Sequence, residues 1–435
     1  MDLRTEKYAA RLAALIGAET VSGGNKDEFY KFRQLQKKEF PNLFGSCILE
    51  DFDGSFLLKW EGKGDGLPIL LMNHHDVVEA TGEWKYPPFS GTVAEGRIWG
   101  RGVLDTKGGL FSMLQAAEEL ISCGFVPQND VYFLSTCNEE TSGEGGQTIS
   151  KVLERRGIRF SFVLDEGGMI LNEPIGGAKG HFAMVGVGEK GCTDLKFIAR
   201  SKVGHASTPP KNSPLVRLGR FMEAVEKGNI FDVQISPTLH TMFTCLSTSM
   251  NGPLKFVLGN SRAFSPILKK VIPMISSTAG AMLKTTLAFT MASGSGASNV
   301  LPEEAYVIGN MRFSHHQGRD KSIEAVKRLA EKFDVETVVL SAGISSPVSN
   351  CNSEQFGLIK NAVDAIFPGV KTSPYIMTGA SDSRFLSIVS DNCFRFTPFI
   401  IDDRQLDSVH GIDENLDLSC LAPAVDFYKY IIKEN

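Results

Sequence analysis

Pro68-Ile-Leu-Leu-Met72 runs straight into Asn73-His74-His75-Asp76-Val77-Val78. The first five residues read as a short strand of the buried type, and the next six put imidazoles and a carboxylate where that strand meets a loop. The arrangement recurs downstream. Val131-Tyr-Phe-Leu-Ser-Thr136 delivers Asn138-Glu139-Glu140 just past its end, and Arg159-Phe-Ser-Phe-Val-Leu164 ends at Asp165-Glu166-Gly167-Gly168. Between them, Gly102-Val103-Leu104-Asp105 precedes a helix beginning at Lys107. Its Leu110, Met113, Leu114, Ala117 and Ile121 fall at helical spacing, and Gly124 is a natural stop. Strands alternating with helices imply an open α/β sheet, whose ligand sites lie beyond the carboxyl ends of the strands. The candidate chemistry falls at those ends.

Added to Val409-His410-Gly411, these segments offer two imidazoles and several carboxylates. That donor set suits a pair of divalent metals such as zinc, and a two-metal site with a spare glutamate is a hydrolase site. Gly102, Gly108 and Gly109 imitate a phosphate loop only superficially, because the Gly-Lys-Ser/Thr spacing is missing. His75, His181, His240, His315 and His316 have no such motif context and are read as packing or surface residues, as are Trp84 and Trp99.

The 435 residues exceed one ordinary core, so two domains are expected. With 42% hydrophobic and 22% charged residues the composition is that of a folded globular chain. A net charge of -5 and no basic stretch to track phosphates argue against nucleic acid as a partner. Eight scattered cysteines without a CxxC read as reduced thiols. No secretory signal and no run of apolar residues of spanning length is seen, so a cytoplasmic location without a membrane partner is expected.

From about residue 187 the pattern changes. Thr193–Arg200 alternates like a strand, Pro214–Glu226 is helix-like, and 284–292 and 304–312 read as strands. Ile323, Val326, Ala330 and Phe333 mark one helical face, and Val335–Leu340 a last strand. Strand, helix, two strands, helix, strand suits a small α+β unit. Residues 230–283, apolar and proline-punctuated, read as a helical insertion. After about 350 the α/β character returns, with a helix from Glu354 and strands near 376 and 395. The expected fold class is therefore α/β: an open mixed sheet in a catalytic domain (1–186 and 349–435) with an inserted ferredoxin-like lid domain (187–348).

The blocks also resemble those of the M20 metallopeptidases, carboxypeptidases, aminoacylases and desuccinylases with a co-catalytic dizinc site. The similarity covers nearly the whole length. It rests on Asn73-His-His-Asp-Val-Val78, Trp84 with Pro88-Phe-Ser-Gly91, Gly96-Arg-Ile-Trp-Gly-Arg-Gly102 into Asp105-Thr-Lys-Gly-Gly109, and Asn138-Glu-Glu140. Further blocks are Gly204-His-Ala-Ser207, Ser298-Asn-Val-Leu-Pro302, Gly379-Ala-Ser-Asp-Ser-Arg384 and His410-Gly411. The Gly-X carboxypeptidase and N-acyl-amino-acid hydrolase branch is the most similar.

The resemblance implies two Zn²⁺, with Co²⁺ or Mn²⁺ as substitutes, held by His74, Asp105, Glu140, Asp165 and His410. Asp105 would bridge the metals, Glu140 would pair with His410 and Asp165 with His74; Glu166, adjacent, competes for that last place. Asp76 would fix the imidazole tautomer of His74. Glu139 would stay unligated as general base. His205 would stabilise the oxyanion from the lid, and Arg384, with Asn299 and a slim Gly379, would grip a substrate carboxylate. The implied activity is cleavage of the amide bond to a C-terminal amino acid in small peptides or N-acyl amino acids, with homodimerisation through the lid. An aminopeptidase or dipeptidase of the same family, and a non-catalytic metal-binding scaffold, stand as alternatives. Asn73, Glu79 and Ile412-Asp413 depart from the family's usual residues, and the 230–283 insertion is larger than in its simplest members.

Overall fold

The computed structural model describes residues 2–341 and 343–435. Its centre is a ten-stranded mixed sheet. Ile69–His74 pairs in parallel with Val131–Thr136 on one side and Val163–Asp165 on the other, and Cys393–Arg395 continues the parallel run. Ser55–Trp60 and Ile48–Phe52 extend one edge antiparallel. At the other end lie His181–Glu189, Ile170–Asn172 and Ile400–Ile401, with Lys371–Met377 pairing with His181–Glu189.

The central strands are buried throughout, and apolar up to their carboxyl ends, because both faces are covered. Ile69, Leu71, Val131 and Phe133 enter one core with the helices Leu3–Ile16, Lys107–Ser122, Glu354–Ile366 and Leu421–Lys433. Their neighbours Leu70, Met72, Tyr132 and Leu134 enter the opposite core, with Ile149 and Leu153 of the Glu144–Arg155 helix. The two-residue period of a strand thus splits each one between two layers. The third expected strand is shorter than its apolar run. Only Val163–Asp165 joins the ladder, while the Phe160 and Ser161 amides donate to the carbonyls of Val389 and Pro68.

The chain leaves this sheet after Glu189 and builds a four-stranded antiparallel sheet, Thr286–Ser293, Glu304–Phe313, Gly191–Arg200 and Glu336–Val339 in spatial order. Pro214–Lys227 and Gly318–Glu331 cover one face around Phe197, Phe221, Val307 and Val326. Order and connectivity are those of the expected ferredoxin-like unit. The strands after it return to the large sheet.

The helical insertion is present, as Pro237–Ser247, Gly252–Gly259, Ser265–Ile275 and Ser277–Leu283. Its packing is less obvious from sequence. Leu239, Phe243, Leu246, Leu258, Leu268 and Ile272 close on Phe182 and Met184, so its core lies against the large sheet.

Candidate metal centre and active site

Three neighbouring parallel strands deliver the chemistry at their carboxyl ends. His74 closes the first, Glu139 and Glu140 follow the end of the second, and Asp165 closes the third with Glu166 just beyond it. Two further segments arrive from outside. Asp105 stands in the loop before the Lys107–Ser122 helix, and His410 lies in the turn between the short Asp403–Ser408 helix and a strand, Asn415–Asp417, that pairs with Arg97–Trp99.

These side chains converge on Asp105. Its Oδ1 lies 2.9 Å from His74 Nε2 and its Oδ2 lies 3.0 Å from His410 Nε2. Glu140 Oε2 is 3.1 Å from the same His410 nitrogen, and Glu140 Oε1 is buried without a hydrogen-bond partner. One ligand atom each of His74, Asp105 and Glu140 fall within 4.8 Å of one another. His74 Nδ1 faces the Asp76 carbonyl at 2.8 Å, so it must donate there, which leaves Nε2 as the nitrogen turned to Asp105. The orphaned Glu140 oxygen and the N/O donor set fit divalent cations.

The protonation pattern has the same cause. Burial disfavours charge on Asp105, yet its bonds to His410 and His74 outweigh that and hold it well below the usual carboxylate range. Bonds to Asp105 and Glu140 push the exposed His410 imidazole up to about 10. His74 is buried, which opposes its charge, but Asp105 and Asp76 raise it well above 6.5.

Asp76 does more than orient His74. Its Oδ1 is 3.4 Å from His74 Nδ1, and its two oxygens accept the amides of Glu139 and Glu140 at 3.2 and 3.1 Å and the hydroxyl of Ser22. One buried carboxylate therefore sets the position of an imidazole and of both glutamates. Glu139 touches neither histidine. Burial and the charges of Asp382 and Asp105 raise its pKa well above 4.5, against the pull of His74 and of Arg384, whose Nη1 is 3.5 Å away.

Asp165 and Glu166 separate clearly. Asp165 Oδ1 accepts the Glu166 amide at 2.9 Å and Oδ2 the Ser383 amide at 2.8 Å. The Glu166 carboxyl lies in the field of Asp105, Asp165 and His74; removal from water and the two acids push its pKa well up.

The lid residues stand apart. His205 sits on the two-stranded ribbon Gly204–His205/Val300–Leu301, exposed, its Nδ1 2.7 Å from Ser207 Oγ. The Ala206 amide donates to the Asn299 carbonyl, so the ribbon brings His205 and Asn299 together. Neither has a hydrogen bond or ion pair to the acidic cluster among the described residues. Arg384 does reach the site, steadied by Nη1 donating to the Ser381 carbonyl at 2.9 Å. At Gly379 a Cβ would meet no protein atom within 4 Å. Its bare side faces open space.

Sequence reasoning missed Glu414. Fully buried, it accepts the amides of Gly102 (2.9 Å), Leu104 (2.7 Å) and Asp105 (3.2 Å) and pairs with buried Arg101 at 2.8 Å. It clamps the loop that presents Asp105. The available signal was its place four residues after His410. His75 is a packing residue, as expected: its buried ring stacks on Phe32 at 5.0 Å and bonds Ser135.

The model of the peptidase family M20/M25/M40 matches residues 70–434. A probable carboxypeptidase S-like 2 of Dictyostelium discoideum is 33% identical, over 98% of this chain and 85% of its own length. An N-fatty-acyl-amino acid synthase/hydrolase, PM20D1, of Xenopus tropicalis is 31% identical, over 100% of this chain and 87% of its own. Among solved structures, an M20 family metallo-carboxypeptidase, Sso-CP2, from Sulfolobus solfataricus superposes with a TM-score of 0.70 at 17% identity, covering 99% of each chain. That likeness speaks for the fold.

Proposed function

The chain belongs to the M20/M25/M40 peptidase family and is a metal-dependent hydrolase, and from that premise we propose that it removes a C-terminal amino acid from small peptides or N-acyl amino acids. Two zinc ions are the proposed cofactors, with His74, Asp105, His410, Glu140 and one of Asp165 and Glu166 as ligands. The observation that carries the reading is Asp105, with one imidazole against each oxygen. A carboxylate so placed can serve two cations at once.

Bound there, a pair of divalent cations supplies Lewis acidity and lowers the pKa of an attacking water toward neutrality. The chain's own part is to hold that chemistry in place. Glu139, fastened through its amide to Asp76 and free of both imidazoles, is the group able to take a proton from water. Its raised pKa suits it to keep the proton and return it to the departing amine. A carboxylate committed to a cation would be a weaker base, so the adjacent glutamates divide the work.

A peptide's C-terminal residue and an N-acyl amino acid offer the same feature, an amide beside a free carboxylate. The relatives' names, a carboxypeptidase and an N-fatty-acyl-amino acid synthase/hydrolase, support that pairing. Arg384 is the proposed partner of this carboxylate. Its planar guanidinium has donors left over after the Ser381 carbonyl, and it stands within reach of Glu139. His205 and Asn299 are proposed to contribute from the lid ribbon.

The test is a panel of N-acyl amino acids and dipeptides, with amine release followed before and after chelation and on adding back Zn²⁺. Turnover lost to chelation, restored by zinc and dependent on a free substrate carboxylate is the expected result. Dependence on a free amino terminus instead would remove the role given to Arg384.

A further inference from the structure

From residue 233 to residue 302 the chain has no Asp or Glu, although it carries 50 acidic residues in all. The same 70 residues hold Lys255, Arg262, Lys269, Lys270 and Lys284. The stretch is therefore at +5, and the remainder of the chain at -10, within a total of -5. Such a block is a local reversal of field that overall net charge conceals.

The structure places four of these cations, Lys255, Arg262, Lys269 and Lys270, on or between two helices that also carry unburied apolar side chains. The Ser265–Ile275 helix has two apolar faces. Leu268 and Ile272 enter the core of the insertion, while Ile267, Val271, Met274 and Ile275, at helical spacing, are turned outward. Met274 is 83% exposed and Ile275 74%. The neighbouring Gly252–Gly259 helix adds Leu254 and Phe256, the latter 64% exposed, with its ring 5.7 Å from Phe264 at the foot of the first helix. A surface helix normally spends its one apolar stripe on the core and shows polar residues outside. Here the outside is apolar too.

Lys255, Arg262 and Lys270 are exposed and Lys269 partly so. None of the four has an ion pair among the described residues. No helix of the described chain is long and apolar enough to cross a membrane, so lipid contact through this face would be at the surface.

We infer that the Gly252–Gly259 and Ser265–Ile275 helices dock this protein onto an anionic lipid surface, apolar side chains entering the headgroup boundary and lysines meeting the lipid charges. The expectation of no membrane partner rested on the lack of a spanning segment, and it does not bear on surface adsorption. Charge complementarity selects this occupant. A second copy would bring its own unpaired cations against the first across an isologous contact, and like charges oppose that. Lipid with acidic headgroups offers both the negative charge and the hydrocarbon.

The test uses the full chain in sedimentation with vesicles of phosphatidylcholine containing about one-third phosphatidylserine, against phosphatidylcholine alone, at physiological salt. Wild type should pellet with the acidic vesicles and be released at high salt. Lys255→Glu/Lys270→Glu and, separately, Phe256→Ser/Met274→Ser should each weaken partitioning by about tenfold or more. All four positions are exposed, and a thermal melt confirms that each variant folds; if the apolar pair melts early, the charge pair decides. Wild type staying in the supernatant, or binding that neither variant weakens, overturns the inference. So does a wild-type dimer, by light scattering, that Phe256→Ser/Met274→Ser converts to a monomer. The readout is binding alone, so any of these results leaves the hydrolase reading untouched.

Discussion

Arg384 Nη1 lies 3.5 Å from Glu139 Oε1, joining the proposed carboxylate-binding residue to the proposed base. The guanidinium favours the charged form of Glu139, while burial, Asp382 and Asp105 oppose it. A group held for binding is thus also a control on basicity. The consequences for substrate and for pH are linked.

Arg384→Met should raise KM for carboxylate-bearing substrates and lower kcat/KM roughly ten- to a hundredfold, the worth of a charge-assisted hydrogen bond. Because a nearby positive charge is lost, the Glu139 pKa should rise, moving the acid limb of the kcat/KM profile to higher pH. A profile unmoved by the substitution would separate the two residues functionally.

Glu139→Gln keeps the side chain's shape and the amide bond to Asp76 while removing the base. Metal content by elemental analysis should stay at that of wild type, and kcat should fall by about 10²- to 10⁴-fold. Retained turnover would assign the proton to another group.

Glu414→Ala removes the clamp on the Asp105 loop and strands the buried Arg101 guanidinium. Breaking a buried ion pair costs about 3–5 kcal/mol, read as a lower denaturation midpoint. Metal affinity should fall as well, because three amides that fix the loop lose their acceptor. Loss of stability with unchanged metal affinity would confine Glu414 to a structural part.

His75 carries a pH dependence of its own. Burial pushes its pKa down to about 3 from 6.5, so the folded protein keeps it neutral while the unfolded chain binds a proton below 6.5. The stability it lends is complete above pH 6.5 and is lost as pH falls from there toward 3, by at most about 1.4 kcal/mol per pH unit. Urea midpoints for wild type and His75→Gln should diverge least in acid, the variant having the shallower slope.

Much of this was legible because the central strands are buried on both faces. Such strands run apolar until their carboxyl ends, so the polar groups that break the run mark the mouth of the sheet; His74 and Glu139–Glu140 stand out for that reason. The lid's alternating strands were equally plain, since Glu304–Phe313 buries every second residue. What escaped depends on contacts between distant segments. The Arg159–Leu164 run looks like a full strand, but only pairing decides which of its amides join the ladder. Glu414 is an unremarked acid until the fold brings three amides and Arg101 to it. Asp165 and Glu166 are equivalent on paper, and differ only because backbone donors occupy both oxygens of the first.

The three groups around the Asp105 carboxylate, His74, Glu140 and His410, come from positions as far apart as 74 and 410. A nascent polypeptide therefore cannot assemble the full donor set until synthesis has passed the last of them. Cofactor acquisition becomes a late checkpoint, and a fragment ending before His410 would emerge with a folded-looking sheet yet be inert.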